Sequence, residues 1–241
     1  MIYYYRIAGL LVQMETFGKT LDQAAAYIAE EGTPDVVITS YAEALRERQP
    51  HLSLEACEYL STGSSFYRQL LKYDGMLIHA SAVVKDGFAY LFSAPCGTGK
   101  STHTSMWRKV FGEDQVLMLN DDKPALRCED GKWYAYGTPW SGKTAQNTNI
   151  RVPLGGVCIL ERGDENKIVP FGGAKAAFAL LEQTVRPTTA NGRGKLLDLL
   201  SDMMEKTPVW KLTCTPTEEA AVVAHDAMTA EARKSWGKYT C

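Results

Sequence analysis

The sequence predicts an α/β protein built on a mixed, largely antiparallel sheet. Three observations carry this. Asp-Gly pairs at 86–87 and 130–131 each lie between apolar runs. The apolar run "FAYLFS" leads into a glycine-rich loop and then a helical pattern, and the C-terminal third repeats its apolar residues at helical spacing.

The first stretch, to about Asp74, reads as a small α+β region, and residues 75–241 as the main domain. "YYYRIAGLLVQME" predicts a strand and "TLDQAAAYIAE" a helix. "DVVIT" predicts a buried strand, and "SLEACEYLSTGSSFYRQLLKY" a helix interrupted near Gly63. From Met76 the pattern becomes strands and tight turns. "MLIHASAVV" and "FAYLFSA" flank Asp86-Gly87, where both central positions of a type I′ turn need φ > 0. That turn pairs Lys85 with Phe88 and sets His79 opposite Ala94. "ALRC" and "KWYAYG" predict a second hairpin about Asp130-Gly131, and "GVCILER" and "KIVPF" a third about Gly163-Asp164. Two helices, "GAKAAFALLEQTV" and "GKLLDLLSDMMEK", a strand "VWKLTC" and a closing helix capped by Thr215 or Thr217 complete the chain.

The composition excludes several function classes. With 241 residues, 45% hydrophobic and 22% charged, the chain has core enough to fold without staples. A net charge of −2 without a basic run offers nucleic acid no attractive field. The six cysteines include no C-x-x-C pair and none at zinc-ligand spacing with a histidine, so no disulfide framework or zinc site is expected. "MIYYYRIAGLLVQMETF" lacks the features of a signal peptide. No apolar run approaches the roughly 20 residues that span a bilayer. The expected location is the cytoplasm, with no membrane partner.

"FSAPCGTGKST" matches G-x-x-x-x-G-K-[ST] except that Ala94 replaces the first glycine. The strand before it and the helix after it supply the context a phosphate-binding loop needs. Backbone N–H groups of such a loop and of the helix start point at phosphates, where the helix dipole favours negative charge. Gly97 and Gly99 let the backbone approach closely. Lys100 supplies a charge to the β- and γ-phosphates, and the Ser101 hydroxyl can ligand Mg²⁺. Pro95, Cys96, Thr98 and Thr102 complete the expected nucleotide contacts. "VLML" then predicts a buried strand delivering Asp121 and Asp122 beside the loop, as in a βαβ unit. One carboxylate there can hold the nucleotide's Mg²⁺ and a second can take a proton from an attacking hydroxyl. An imidazole at His79, at the loop's mouth, could orient a carboxylate or contact the γ-phosphate. The tight antiparallel turn before the loop strand points away from GTPases, motor ATPases and nucleoside kinases, whose preceding strand arrives by crossover.

His79, the hairpin, "APCGTGKST" and "LNDD" together resemble the HPr kinase/phosphorylase and phosphoenolpyruvate carboxykinase superfamily. "HASAV", "GTGKST" and "GKWYAYGTPWSGK" look most like the HPr-kinase-related small kinases of bacterial peptide-modification clusters, lasso-peptide kinases among them. The likeness covers about Leu77 to Leu160. It implies a phosphoenolpyruvate-carboxykinase-like P-loop fold and an ATP- and Mg²⁺-dependent kinase. By the same likeness Asp121 is the catalytic base, Asp122 the acid near the metal, with roles that could be shared, and His79 the active-site histidine. Gly137 to Lys143 would lie where substrate approaches, with Lys143 or Arg151 touching phosphate or substrate. The glycine-rich signature that HPr kinases carry after the Asp pair is missing, which argues against HPr as substrate.

The expected activity is therefore transfer of the γ-phosphate to a hydroxyl, Ser or Thr of a peptide or small protein. Two alternatives stay open: a nucleotide-binding regulatory or chaperone-like partner without transfer, and a small-molecule kinase acting on a metabolite such as serine. The superfamily often forms homo-oligomers, although the chain shows no interface signature.

Overall fold

The structure, a computed structural model, describes residues 2–237. Cys241 lies outside them, and the other five cysteines are free. The N-terminal stretch opens with two strands where one was expected. β1 (Ile2–Ile7) and β2 (Leu10–Glu15) pair antiparallel across a turn at Ala8-Gly9, both left-handed at φ 50 and 79. Alanine is unfavourable there. Its carbonyl is held by Arg127 Nη1 at 2.8 Å, a partner far away in sequence. α1 (Gly18–Ala24) ends sooner than the pattern suggested, in a 3₁₀ turn over Ala25–Tyr27. β3 (Val36–Ile38) adds parallel to β2, and α2 (Ala42–Arg48) and α3 (Leu54–Leu70) follow. Ser53 caps α3 by accepting the Ala56 N–H at 3.1 Å.

Gly63 does not interrupt α3. A Cβ there would lie 3.0 Å from Trp140 Cδ1, so the glycine makes room for an indole instead of breaking the helix. Trp140 also stacks on Phe66 with centroids 5.1 Å apart. Together with Tyr5, Val12, Tyr67, Leu77 and Tyr136 they form one core, which the first seventy residues therefore share with the rest of the chain.

The main sheet comprises β4 (Gly75–Leu77), β5 (Ala80–Lys85), β6 (Phe88–Ser93), β7 (Leu117–Asn120), β8 (Ala125–Glu129), β9 (Lys132–Tyr136), β10 (Arg151–Arg162), β11 (Lys167–Pro170) and β12 (Val209–Cys214). Among these lie α4 (Lys100–Phe111), α5 (Gly173–Leu181) and α6 (Ala190–Lys206), and α7 (Glu218–Gly237) ends the described chain. The order is β4-β8-β9-β10-β6-β5-β7, with β12 on β10 and β11 on β12. Both Asp-Gly turns form as expected: Lys85 pairs with Phe88, and Glu129 with Lys132.

The third hairpin does not form. β12 inserts between β10 and β11, parallel to the first and antiparallel to the second. Gly163-Asp164 reverses the favoured Asp-Gly order, and the competing strand comes from some fifty positions further on, so no local signal revealed it.

Two side-chain sets alternate along β6. Ala89 and Leu91 enter a core with Leu180 of α5 and Leu196 and Leu200 of α6, while Tyr90 and Phe92 enter one with Trp107 of α4 and Ala224 and Met228 of α7. The sheet is thus covered on both faces. β10 belongs to both halves. Residues 151–153 pair with β9, and from Leu154 it runs parallel to β6, with Gly155 as an extra residue between the paired positions 154 and 156. A Cβ at Gly155 would lie 2.9 Å from Phe88 and Tyr90, so this bulge needs glycine. No helix among the described residues is long and apolar enough to cross a membrane.

Candidate functional site

The strand order sets the site. β6 and β7 run the same way but are not neighbours, because β5 lies between them, antiparallel to both. The glycine-rich loop leaves the end of β6 and the Asp pair leaves the end of β7. The start of β5 stands between them with His79 and Ser81. This differs from the simple βαβ unit, which would set the Asp pair directly beside the loop strand. The hairpin register does bring His79 to the loop: the ladder ends at Ala80–Ser93, and Ser93 Oγ donates to the His79 carbonyl at 2.8 Å.

Strand, loop and helix follow in the order the motif requires, and α4 begins at Lys100. Gly97 and Gly99 have φ of 80 and 122, and a Cβ on either would meet nothing within 4 Å. They are needed for backbone conformation, and the space they face is open. Gly99 provides no side-chain cap, so the first-turn N–H groups of α4 lack a capping side chain. Pro95, Cys96, Ser101 and Thr102 are exposed, and Thr98 is half-buried. Ala94, where the motif has glycine, is buried, and its carbonyl accepts the Lys100 ammonium at 2.9 Å. Burial pushes the Lys100 amine down, and the nearby Asp122 and Asp121 carboxylates oppose this.

Asp122 is tied on both oxygens. His79 Nε2 lies 2.8 Å from Oδ1, and the Lys123 ammonium contacts Oδ2. Burial alone would raise this carboxyl, but the His79 hydrogen bond and the Lys123 charge outweigh it and hold it at about 2. Gln183 Oε1 lies 3.2 Å from His79 Nδ1, and the Gln183 carbonyl accepts the His79 backbone N–H at 2.7 Å. Asp121 is nearly buried and accepts two hydroxyls: Ser81 Oγ at 2.6 Å on Oδ1 and Thr144 Oγ1 at 2.8 Å on Oδ2. Asn120 shapes the turn, its Oδ1 accepting the backbone N–H groups of Asp122 and Lys123 at 2.9 and 2.6 Å.

The segment from Gly137 to Asn147 lies over the pair. Asp121 donates its N–H to the Gln146 carbonyl at 3.1 Å, and a Cβ on Gly142 would sit 2.9 Å from Asp122 Cβ. The N-terminal region grips the same segment through Gln23 Nε2 on the Gly142 carbonyl, Tyr59 Oη accepting the Gly142 N–H, and Tyr27 Oη on Asn147.

The structure therefore brings together the 95–102 loop, His79, Asp121 and Asp122, with Lys143 on the adjoining segment. It sets Arg151 elsewhere: that guanidinium pairs with Glu129 at 2.9 Å and covers the Tyr134 ring at 3.5 Å. His103 is a packing residue. It is buried against Phe92, accepts the Trp107 indole N–H at 3.2 Å, and is pushed down to about 4 by burial.

Sequence reasoning missed several members. Arg162, at the end of β10, donates to the Gly97 and Thr98 carbonyls at 2.5 and 3.1 Å and braces the loop. Ser81, Thr144 and Gln183 carry no motif. Lys123 stands next to the Asp pair in "NDDK", and that adjacency was the one local signal. Two cavities flank the loop. One, about 370 Å³, is lined by Gly99, Thr102, Met106, Leu160, Cys214 and Pro216. The other, about 660 Å³, runs between the loop, Phe171, Gln183 and Lys211.

A double-covered sheet with a glycine-rich loop, histidine and paired carboxylates at one end defines its class. The chain belongs to the family described as SynChlorMet cassette protein ScmC, whose model matches residues 51–217. No curated protein matches it. Among solved structures it is similar to the Hpr(Ser) kinase/phosphatase from Coxiella burnetii at 11% identity. That match covers 68% of this chain and 99% of that one, with a TM-score of 0.34. The likeness is too slight to carry a residue or an activity across.

Proposed function

We propose that this protein is an ATP- and Mg²⁺-dependent kinase that transfers the γ-phosphate to a hydroxyl, Ser or Thr of a peptide or small protein. One observation carries the reading. The order β6-β5-β7 gathers an open glycine loop with a buried lysine, a histidine and two carboxylates at one end of the sheet.

The groups fit. Gly97 to Thr102 offer open backbone and uncapped helix N–H groups for phosphates. The roughly 370 Å³ cavity alongside, where Met106, Leu160 and Pro216 stand beside Glu161, Arg162 and Thr217, has the apolar walls and few polar groups that suit a nucleoside. For the metal, the exposed Ser101 hydroxyl and the Asp122 carboxylate, held near pKa 2 and so charged at neutral pH, are the protein donors. No group of three or more His, Cys, Asp or Glu among the described residues could hold a metal. Mg²⁺ bound with a nucleotide takes one or two protein ligands and the rest from phosphate and water. Mg²⁺ would supply neutralisation of the phosphate charge.

In the reaction, Asp121 accepts the acceptor hydroxyl's proton as that oxygen bonds to the γ-phosphorus and the bond to ADP breaks. The Thr144 hydroxyl, 2.8 Å from Asp121 Oδ2, marks where an acceptor hydroxyl would sit and must give way to it. His79 and Gln183 orient Asp122. Residues 75–241 are the catalytic unit on this reading, and residues 1–74 complete its acceptor side.

The test is incubation with γ-labelled ATP and hydroxyl-bearing peptides, read by mass. Wild type is expected to add one phosphate, and Asp121→Asn to bind ATP yet transfer at least about 100-fold more slowly. ATP binding without transfer to any acceptor by wild type would sink the reading. A second reading, a nucleotide-binding partner without transfer, is favoured by one observation: both oxygens of Asp121 are already occupied by the protein's own hydroxyls.

A further inference from the structure

We infer that Lys19, Lys123 and Lys143 form an anion subsite that holds a carboxylate of the acceptor peptide, so that the hydroxyl to be phosphorylated lies close to an acidic residue. The inference rests on the kinase reading and names its substrate class.

Three lysines from three separate segments gather beside Asp122. Lys19, from α1, and Lys123, from the turn after β7, place their ammoniums 4.8 and 5.2 Å from the centroid of the same Tyr59 ring. The two charges are therefore within about 10 Å of each other. Lys143 follows Gly142, whose N–H is bound to Tyr59 Oη at 2.8 Å, so the same tyrosine fixes the root of the third lysine.

The group is electrostatically unfinished. Of the three lysines only Lys123 is paired, with Asp122, and among the described residues Lys19 and Lys143 form no ion pair. The ammoniums of Lys123 and Lys143 act on Lys19, adding to the effect of burial in lowering it, while Asp122 opposes them. Three like charges gathered around one carboxylate cost stability, and an anion arriving from outside lowers that cost.

The position suits an acceptor residue rather than the nucleotide. Lys19 lines a surface cavity of about 260 Å³ with Ser53, Ala56, Tyr59 and Leu60. Its partly apolar walls match the methylenes of an acidic side chain. Glu55 shares that rim but is packed against Gly18, where an added Cβ would strike it at 2.6 Å. Thr144, next to Lys143, is the residue whose hydroxyl already meets Asp121. An acceptor whose hydroxyl replaced that of Thr144 would carry its neighbouring side chains past the lysines.

The test uses two capped pentapeptides that differ only in having Glu or Gln on both sides of a central serine. Their binding to the full chain is measured by calorimetry with Mg²⁺ and a non-hydrolysable ATP analogue. The Glu peptide should bind about tenfold more tightly, because each partly exposed pair contributes a factor of roughly two to five. The preference should shrink as ionic strength rises. Lys19→Met with Lys143→Met should abolish it, with nucleotide affinity measured in parallel to show that the variant is folded.

Equal affinity for the two peptides, binding of neither, or a preference that survives the double substitution would each overturn the subsite. A double variant that loses nucleotide affinity but keeps the peptide preference would do the same. Replacing the analogue with ATP separates the two claims. An acidic peptide that binds but gains no phosphate mass leaves the subsite standing and removes the kinase.

Discussion

His79 Nε2 and Asp122 Oδ1 lie 2.8 Å apart, joining a residue just before β5 to one just after β7 across the mouth of the glycine loop. The pair makes Asp122 a permanent anion at neutral pH. Its carboxyl is held at about 2 in the fold against 3.8 when free, so the stabilisation is complete above about pH 4 and fades as pH falls toward 2. Asp122→Asn should therefore cost about 2 kcal/mol at pH 7. The gap to wild type should close between pH 4 and pH 2, as read by urea midpoints across that range.

Glu58 gives the opposite pH dependence. It is fully buried on α3, accepts a hydrogen bond from Thr20, and has no partner on Oε1 among the described residues. Burial pushes its carboxyl up to about 7, so the folded state is penalised as pH rises from 4.5 through 7. Glu58→Gln should stabilise the protein by about 3 kcal/mol at pH 8 and by almost nothing at pH 4. Denaturant titrations at the two pH values check this, and an equal gain at both would refute it.

On the proposed kinase reading, Lys100 pairs a functional charge with a structural cost. Lys100→Met should reduce phosphate transfer at least about 100-fold. It should also leave thermal stability unchanged or raise it, because a buried ammonium satisfied by one carbonyl is replaced by an apolar chain. A calorimetric melt beside the activity assay separates the two effects, and a large fall in Tm would show the lysine to be structural.

Gly137 and Gly63 rank by what a methyl group would strike. At Gly137 the Cβ would lie 1.9 Å from the Thr148 carbonyl oxygen, which is backbone, and at Gly63 it would lie 3.0 Å from the Trp140 ring, which can tilt. Gly63→Ala should cost about 1–2 kcal/mol and Gly137→Ala clearly more. Gly137→Ala should also weaken acceptor binding, since the segment covering Asp121 begins there.

Arg162 anchors the loop from outside the motif. Arg162→Ala should lower nucleotide affinity about tenfold while leaving the fold intact, because its two bonds brace Gly97 and Thr98 without entering a core. Fluorescent-nucleotide titration tests it.

The parts legible in the sequence share a cause: their information is local. Asp-Gly between apolar runs set two hairpins and their register, and that register carries His79 to the loop. The glycine loop carried its own turn chemistry, and α4 and the closing helix carried apolar residues at helical spacing. What escaped depended on distant partners. The Ala8-Gly9 turn has no asparagine or aspartate to announce it and is held by Arg127. Gly63 looked like a breaker because Trp140, which fills the space beside it, lies far along the chain. β12 took the place expected for a hairpin, and Ser81, Thr144 and Gln183 became neighbours of the carboxylates only through the strand order.

The single extra residue at Gly155 works as a phase shift within one strand. Leu154 pairs with Ala89 and Gly156 with Tyr90, so β6 has no residue to match the glycine. Leu154 and Val157 therefore enter the same core although three positions separate them, where strict alternation would set them on opposite faces. Arg162 reaches the Gly97 and Thr98 carbonyls on the far side of that shift, so the brace on the glycine loop inherits its facing from a residue seven positions earlier.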